Sequence, residues 1–260
     1  VGPSTDGTEL IARTLKDRYA DLHVLPNPQG VVPYGLNAAI RAAHGDVIVR
    51  MDVHSRYPAN YVAELVRALD RTGADNVGGV WETVPADDSD QAWAIARALS
   101  SPLGVGNALF RLGTTEECEV DTVPYGCWRR SLFDRIGLFD VELLRNQDDE
   151  YNYRIRELGG KLLLADDVRS VYYSRGSMRG LWKQYYQYGF YKVRVLQKHP
   201  QQMSARQFIP LIFILSIVGS LALALFRNVG WILLASILGA YLFAAILSSF
   251  RISIKKGWGN

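Results

Sequence analysis

The chain is poor in the residues that build disulfide frameworks and zinc sites. It has two cysteines, Cys118 and Cys127, among 260 residues. Their separation fits no zinc-binding spacing, and a disulfide scaffold needs more of them, so two reduced thiols are expected. Charge of one sign is also scarce. Twenty-nine Lys and Arg stand against 26 Asp and Glu, a net charge of +3, with no dense basic run for tracking phosphates. Nucleic acid is therefore not expected as a partner. A Walker A loop, a dinucleotide fingerprint, an HExxH pair and a nucleophile elbow are all lacking. No signal peptide leads the sequence.

What is present is unevenly spread. The mean hydropathy of −0.01 suggests one soluble domain. Yet residues 208–226 carry no charge until Arg227, and 229–250 carry none at all. Each run is long enough to be expected to cross a bilayer as a helix. The expected organisation is a catalytic domain over 1–177, an amphipathic interfacial helix region over 178–206, and two transmembrane helices with a basic tail over 207–260. In the second segment Trp182, Tyr185, Tyr186, Phe190 and Tyr191 mix with Lys183, Lys192, Arg194 and Lys198, the make-up of a membrane-surface helix. Lys198, His199 and Arg206 precede the first run and Arg251, Lys255 and Lys256 follow the second. The positive-inside bias then puts both flanks, and the domain, in the cytoplasm.

The domain itself alternates helical and extended patterns. Helices are predicted over 8–19, 36–43, 61–69, 90–100, 130–136, 149–158 and 178–198. Strands are predicted over 22–25, 47–51, 74–81 and 168–173, and a loop over 102–113. The β-α-β order implies an α/β domain with a mostly parallel sheet, whose ligands sit beyond the carboxyl ends of strands. That points to Ser4–Thr8, Asn27 and Asp52–His54. A carboxylate and an imidazole two residues apart share a side and can hold a divalent cation, Mg²⁺ or Mn²⁺. Asp148, Asp149 and Glu150 open a predicted helix, more acid than capping needs. Clustered like charges raise one pKa, which suits a general base.

These segments resemble family 2 glycosyltransferases, inverting enzymes with a GT-A fold, and are most similar to bacterial exopolysaccharide transferases of the succinoglycan type. Ser4-Thr-Asp-Gly-Thr8 is similar to the family's nucleotide turn, and Asn27-Pro28 through Gly35-Leu-Asn37 to its second nucleotide segment. Asp52-Val-His54 stands at the metal-binding D-x-D. Gln147-Asp148 with Arg154 stands at the E-D motif, with Gln147 where an acid is usual. The resemblance implies Asp148 as catalytic base and Asp52 and His54 as metal ligands. Ser4, Asp6, Asn27, Gly35, Asn37 and Asp52 would bind the nucleotide-sugar, a UDP-sugar by expectation. Gln147, Asp149, Glu150 and Arg154 would serve the acceptor, a lipid-linked or other saccharide. The family's acidic pair before the nucleotide turn is replaced by Val1-Gly2, and its preceding strand is expected to be missing from the sheet. Two alternatives stand beside this reading: a polyprenyl-phosphate sugar transferase, and an inactive membrane-anchored nucleotide-sugar-binding protein.

Overall fold

The computed structural model describes residues 1–202 and 205–256, except the side chains of 205, 206, 253, 255 and 256. Arg206, Lys255 and Lys256, used above for orientation, therefore lie outside the described side chains. The strands are β1 (Val47–Val49), β2 (Ser55–Arg56), β3 (Asn76–Val84), β4 (Cys118–Glu119), β5 (Cys127–Arg129) and β6 (Leu162–Tyr173). They form one six-stranded sheet in the order β1-β5-β3-β6-β2, with β4 also on β6.

The sheet is mixed rather than mostly parallel. Only β3 and β6 pair in parallel; β5 lies antiparallel between β1 and β3, and β2 and β4 pair antiparallel with β6. Because β1 and β3 both oppose β5, they run the same way as β6. The expected parallel set thus exists in direction, but a three-residue strand splits it. Strands of two or three residues are too short to show a period. The predicted strand over 22–25 is not formed. This stretch is instead tied to the first residue of the sequence: the Val1 amino group donates to the Leu25 oxygen at 2.6 Å, and Asn27 N–H to the Val1 oxygen at 2.8 Å.

The helices cover both faces. They are α1 (Thr8–Arg18), α2 (Val32–Ala42), α3 (Tyr61–Thr72), α4 (Asp90–Ala98), α5 (Pro102–Val105), α6 (Leu109–Leu112), α7 (Ser131–Ile136), α8 (Gln147–Glu157), α9 (Met178–Lys198), α10 (Ile209–Ala224) and α11 (Val229–Lys256). Helix α2 starts four residues before the predicted Leu36, since Pro33 fits a first turn, where its missing N–H costs nothing. The predicted loop over 102–113 holds two single turns, α5 and α6. Strand alternation sorts the core into two layers. Cys127 and Val77 face α3 residues Tyr61, Leu65 and Leu69. Trp128 and Leu162 face Ile40 of α2, Phe133 of α7, and Tyr151 and Ile155 of α8.

Two details shape the sheet, and the second ties α8 to it. Between Gly79 and Val80 the register with β6 jumps from Ala165 to Arg169. A Cβ on Gly79 would stand 2.4 Å from the Val168 oxygen, so only glycine permits this bulge. The second detail is a buried amide network. Asn76 Nδ2 donates to Asn152 Oδ1 at 2.7 Å, and Cys127 N–H donates to Asn76 Oδ1 at 3.1 Å. Asn152 Nδ2 donates to Thr122 Oγ1 and the Val123 oxygen, both at 2.9 Å. Asn152 lies one turn after Asp148 on the same helix face. Asn152→Ala strands several of these groups and is expected to cost about 1–3 kcal/mol, readable by urea denaturation. A change inside about 0.5 kcal/mol, as at an ordinary surface position, would show that the network does not anchor α8.

The apolar C-terminal runs form α10 and α11, which pack together, with the Phe213 and Tyr241 rings 5.1 Å apart. Residues Val229–Ile252 of α11 are long and apolar enough to cross a membrane, and few of them are buried. Helix α10 has 16 residues. At 1.5 Å per residue it spans about 24 Å, short of a hydrocarbon core of about 30 Å. The expected two spans near 208–226 and 229–250 thus reduce to one helix of sufficient length.

Candidate active site

Strand β1 delivers the chain into Arg50, which the sequence reading overlooked. Its guanidinium makes a two-pronged contact with Asp52, Nε to Oδ1 at 2.8 Å and Nη2 to Oδ2 at 3.0 Å. Its remaining nitrogen, Nη1, donates to Asp148 Oδ1. One arginine thus joins two carboxylates 96 positions apart in sequence, the candidate metal ligand and the candidate base. The Arg50 side chain is 7% exposed, Asp52 24% and Asp148 32%. Burial opposes the Arg50 charge, yet the two carboxylates outweigh it and hold its pKa above the ordinary value. Burial raises the Asp148 pKa, and the Asp52 charge adds to the rise, against the opposing pull of Arg50. A carboxylate held that way is a stronger base than a free one.

Asp52 and His54 come together as expected, His54 Nε2 standing 3.5 Å from Asp52 Oδ2, while Val53 points fully into solvent. The Tyr57 hydroxyl pins this turn, accepting from Asp52 N–H at 2.8 Å and donating to the Asp52 oxygen at 3.2 Å. As donors, one carboxylate and one imidazole fit a hard or borderline divalent cation. They would supply two of the roughly six ligands such a cation takes. Among the described residues no group of three His, Cys, Asp or Glu side chains is arranged to hold a metal ion. A cation held there would draw its remaining ligands from substrate oxygens or water.

The three acids of α8 do not act as one crowded group, because each has its own partner. Asp148 takes Arg50. Asp149 takes Lys192 of α9 at 2.5 Å and Gln202 at 3.0 Å. Glu150, almost fully buried, takes Arg154 at 2.7 Å and His199 at 3.0 Å. Arg154 also donates to the oxygens of Ile136 and Leu138, both at 2.8 Å. Asn146, at φ 62°, opens the helix and donates to the Tyr188 oxygen at 2.9 Å. Helix α9 is therefore docked on α8 along one side. Its other side shows solvent the stripe Trp182, Tyr186, Phe190 and Val193. The helix is thus packed on one side and aromatic at the surface on the other. Gln147 is buried at the start of α8.

The expected nucleotide residues divide. Asp6 Oδ1 accepts from Ser4 Oγ, from Thr8 N–H at 3.1 Å and from Thr8 Oγ1 at 2.5 Å. These bonds lower its pKa to about 2. Asn27 packs on Gly35, where an added Cβ would meet Asn27 Nδ2 at 3.0 Å. Its Nδ2 donates to the Val31 oxygen, while Oδ1 is enclosed with no hydrogen-bond partner. Asn37 departs from expectation. It is buried, and its amide closes a two-way bond with Phe139, Nδ2 to the oxygen at 2.8 Å and Oδ1 from the N–H at 3.0 Å. An amide engaged at both ends holds the turn after α7. Glu150 and Arg154 are likewise bonded to each other, with Arg154 also holding that turn and Glu150 also meeting His199. A cavity of about 780 Å³ lies elsewhere, between α4, α5 and α11, and touches none of these residues.

Residues 2–137, more than half of the chain, match the glycosyl transferase family 2 model. Over 212 residues the chain is 32% identical to the succinoglycan biosynthesis protein ExoA of Rhizobium meliloti, covering 81% of this chain and 63% of that protein. It is 25% identical over 206 residues to the dolichyl N-acetyl-alpha-D-glucosaminyl phosphate 3-beta-D-2,3-diacetamido-2,3-dideoxy-beta-D-glucuronosyltransferase of Methanococcus voltae, covering 76% and 63%. The chain thus spans somewhat under two thirds of both relatives. In fold it is similar to a mannosyltransferase of Pyrobaculum calidifontis solved with GDP-Man and Mn²⁺, with a TM-score of 0.54, 19% identity, and coverage of 98% of this chain and 70% of that one. The chain belongs to glycosyl transferase family 2 and has the GT-A fold.

Proposed function

We propose that this protein is a membrane-associated, inverting glycosyltransferase. It moves a sugar from a nucleotide-diphosphate donor, a UDP-sugar in the first instance, to a lipid-linked saccharide in cell-surface polysaccharide synthesis. The observation that carries this reading is the Asp52–Arg50–Asp148 bridge. It holds the donor-side carboxylate and the base on one guanidinium, so both ends of the displaced bond are served by one rigid group.

In this reading Asp148 takes the proton of an acceptor hydroxyl while that oxygen bonds to the anomeric carbon. The bond from that carbon to the diphosphate breaks on the opposite face, which inverts the configuration. Asp52 and His54 would hold a divalent cation, which when bound supplies positive charge for the departing diphosphate. Ser4, Asp6, Asn27 and Gly35 line the start of the nucleotide path. Helices α10 and α11 anchor the chain, and the aromatic stripe of α9 rests on the bilayer surface with the domain on the cytoplasmic side. The dolichyl-phosphate name of the Methanococcus relative supports a lipid-linked acceptor.

Membranes carrying the protein, given labelled UDP- and GDP-sugars, should pass label into the lipid-extractable fraction with the opposite anomeric configuration. Label entering no lipid or saccharide from any donor would end this reading. Asp52→Ala should remove most of the gain in nucleotide affinity that Mn²⁺ brings. Calorimetry giving the same metal-dependent gain in both proteins would take Asp52 out of the cation site.

A further inference from the structure

A second cluster lies one ring away from His54 and has no role in the scheme above. The Trp81 and Tyr172 rings stack at 4.5 Å and 6°. The guanidinium carbon of Arg111, on the single turn α6, lies 4.7 Å from the Trp81 centroid and 4.9 Å from that of Tyr172. Tyr172 meets the His54 ring edge-on at 5.8 Å. Trp81 meets Tyr125 at 5.0 Å, and Arg50 lies 5.9 Å from the Tyr125 ring. The aromatic wall therefore runs unbroken from the Asp52–Arg50–Asp148 bridge to Arg111.

Polar groups on this wall lack partners. Arg111 Nη1 and Trp81 Nε1 are enclosed and hydrogen-bond to nothing among the described residues. Thr83, two residues along β3 and so on the same face as Trp81, adds an enclosed hydroxyl with no partner. Such groups are costly in a folded protein and call for an explanation. Two of the three are N–H donors without acceptor capacity, and the third can donate. No carboxylate forms an ion pair with Arg111 among the described residues, unlike Arg50 and Arg154. Stacking leaves the edge of a guanidinium free to form a fork on two oxygens. Donors without acceptors, beside one unpaired positive charge, describe an anion site.

We propose that Arg111, with Trp81 and Thr83, binds a diphosphate group of a substrate. Two diphosphates could supply it, that of the nucleotide-sugar and that of a lipid-diphosphate acceptor. Naming substrates rests on the transferase reading; the anion site itself does not.

The test uses the full chain in detergent micelles, without metal, so that the cation site is silent. Calorimetry measures inorganic pyrophosphate, UDP and farnesyl diphosphate against wild type, Arg111→Gln and Arg111→Lys. Arg111→Gln is expected to weaken pyrophosphate at least tenfold, about 1.4 kcal/mol, and Arg111→Lys less, since it keeps the charge and loses the fork. The organic diphosphate that weakens by the same factor identifies the source. If Arg111→Gln does not fold, Arg111→Lys alone decides, by a loss of threefold or more. Pyrophosphate affinity unchanged in the folded variant, or absent in wild type, overturns the proposal. Pyrophosphate binding that depends on Arg111 in a protein that transfers no sugar would instead overturn the transferase reading and leave this site standing.

Discussion

Asp148→Asn should lower sugar transfer by about a hundredfold to ten-thousandfold, the range that a positioned base contributes. Nucleotide affinity should stay within about twofold, because the proposed mechanism has Asp148 serve the acceptor and not the nucleotide. The asparagine oxygen can still accept from Arg50 Nη1, so the fold and the Asp52 contact should persist. The change isolates proton transfer, since an amide has no basic pair to receive the proton. Single-turnover rates at saturating donor are the measurement. A rate within threefold of wild type would take the base role from Asp148. It would also favour an acceptor that needs no proton removed, such as a lipid phosphate.

Arg50→Met should affect both stability and turnover. Arg50 is almost fully buried and holds two carboxylates that would otherwise repel each other. Removing one partner of a buried charge cluster costs more than the cluster contributed, because the remaining charges are left uncompensated. A loss of about 2–4 kcal/mol is expected, at the lower side of the fully buried range because Asp52 and Asp148 retain some solvent. Replacing both carboxylates by Asn in the same protein should recover much of that loss, whereas a purely steric role for Arg50 predicts no recovery. Denaturant midpoints of the single and triple variants decide between them. A single variant as stable as wild type would mean that the bridge carries no strain of charge at all.

Long, strongly patterned pieces of this fold were legible. Helices α1, α3, α4, α7 and α9 lie where the apolar spacing puts them, and Asp52 and His54 meet as their two-residue spacing requires. The misses have physical causes. Strands β2, β4 and β5 have two or three residues and owe their existence to long-range pairing, which leaves no local period. Asn37 carries no sign of its partner, because Phe139 is 102 positions away. Arg50 falls inside the predicted strand over 47–51, and its contacts depend on a carboxylate brought from α8. One signal was available: a charged residue ending an apolar run, two before an acid, is costly to bury without a partner. The crowding inferred for Asp148, Asp149 and Glu150 was read along the chain, whereas α9, Arg50 and Arg154 approach from three directions.

The docking of α9 has a practical consequence for anyone shortening the protein. A cut after Ser177 keeps every member of the Asp52–Arg50–Asp148 bridge. It removes Lys192, His199 and Gln202, which grip Asp149 and Glu150 beside the base. The fragment would shed its greasy tail and still present an intact sheet, yet the first turn of α8 would be moored on one side only. On the proposed reading, the segment that would rest on the bilayer also clamps the turn that carries Asp148, so solubility and the geometry of that turn could not be trimmed independently.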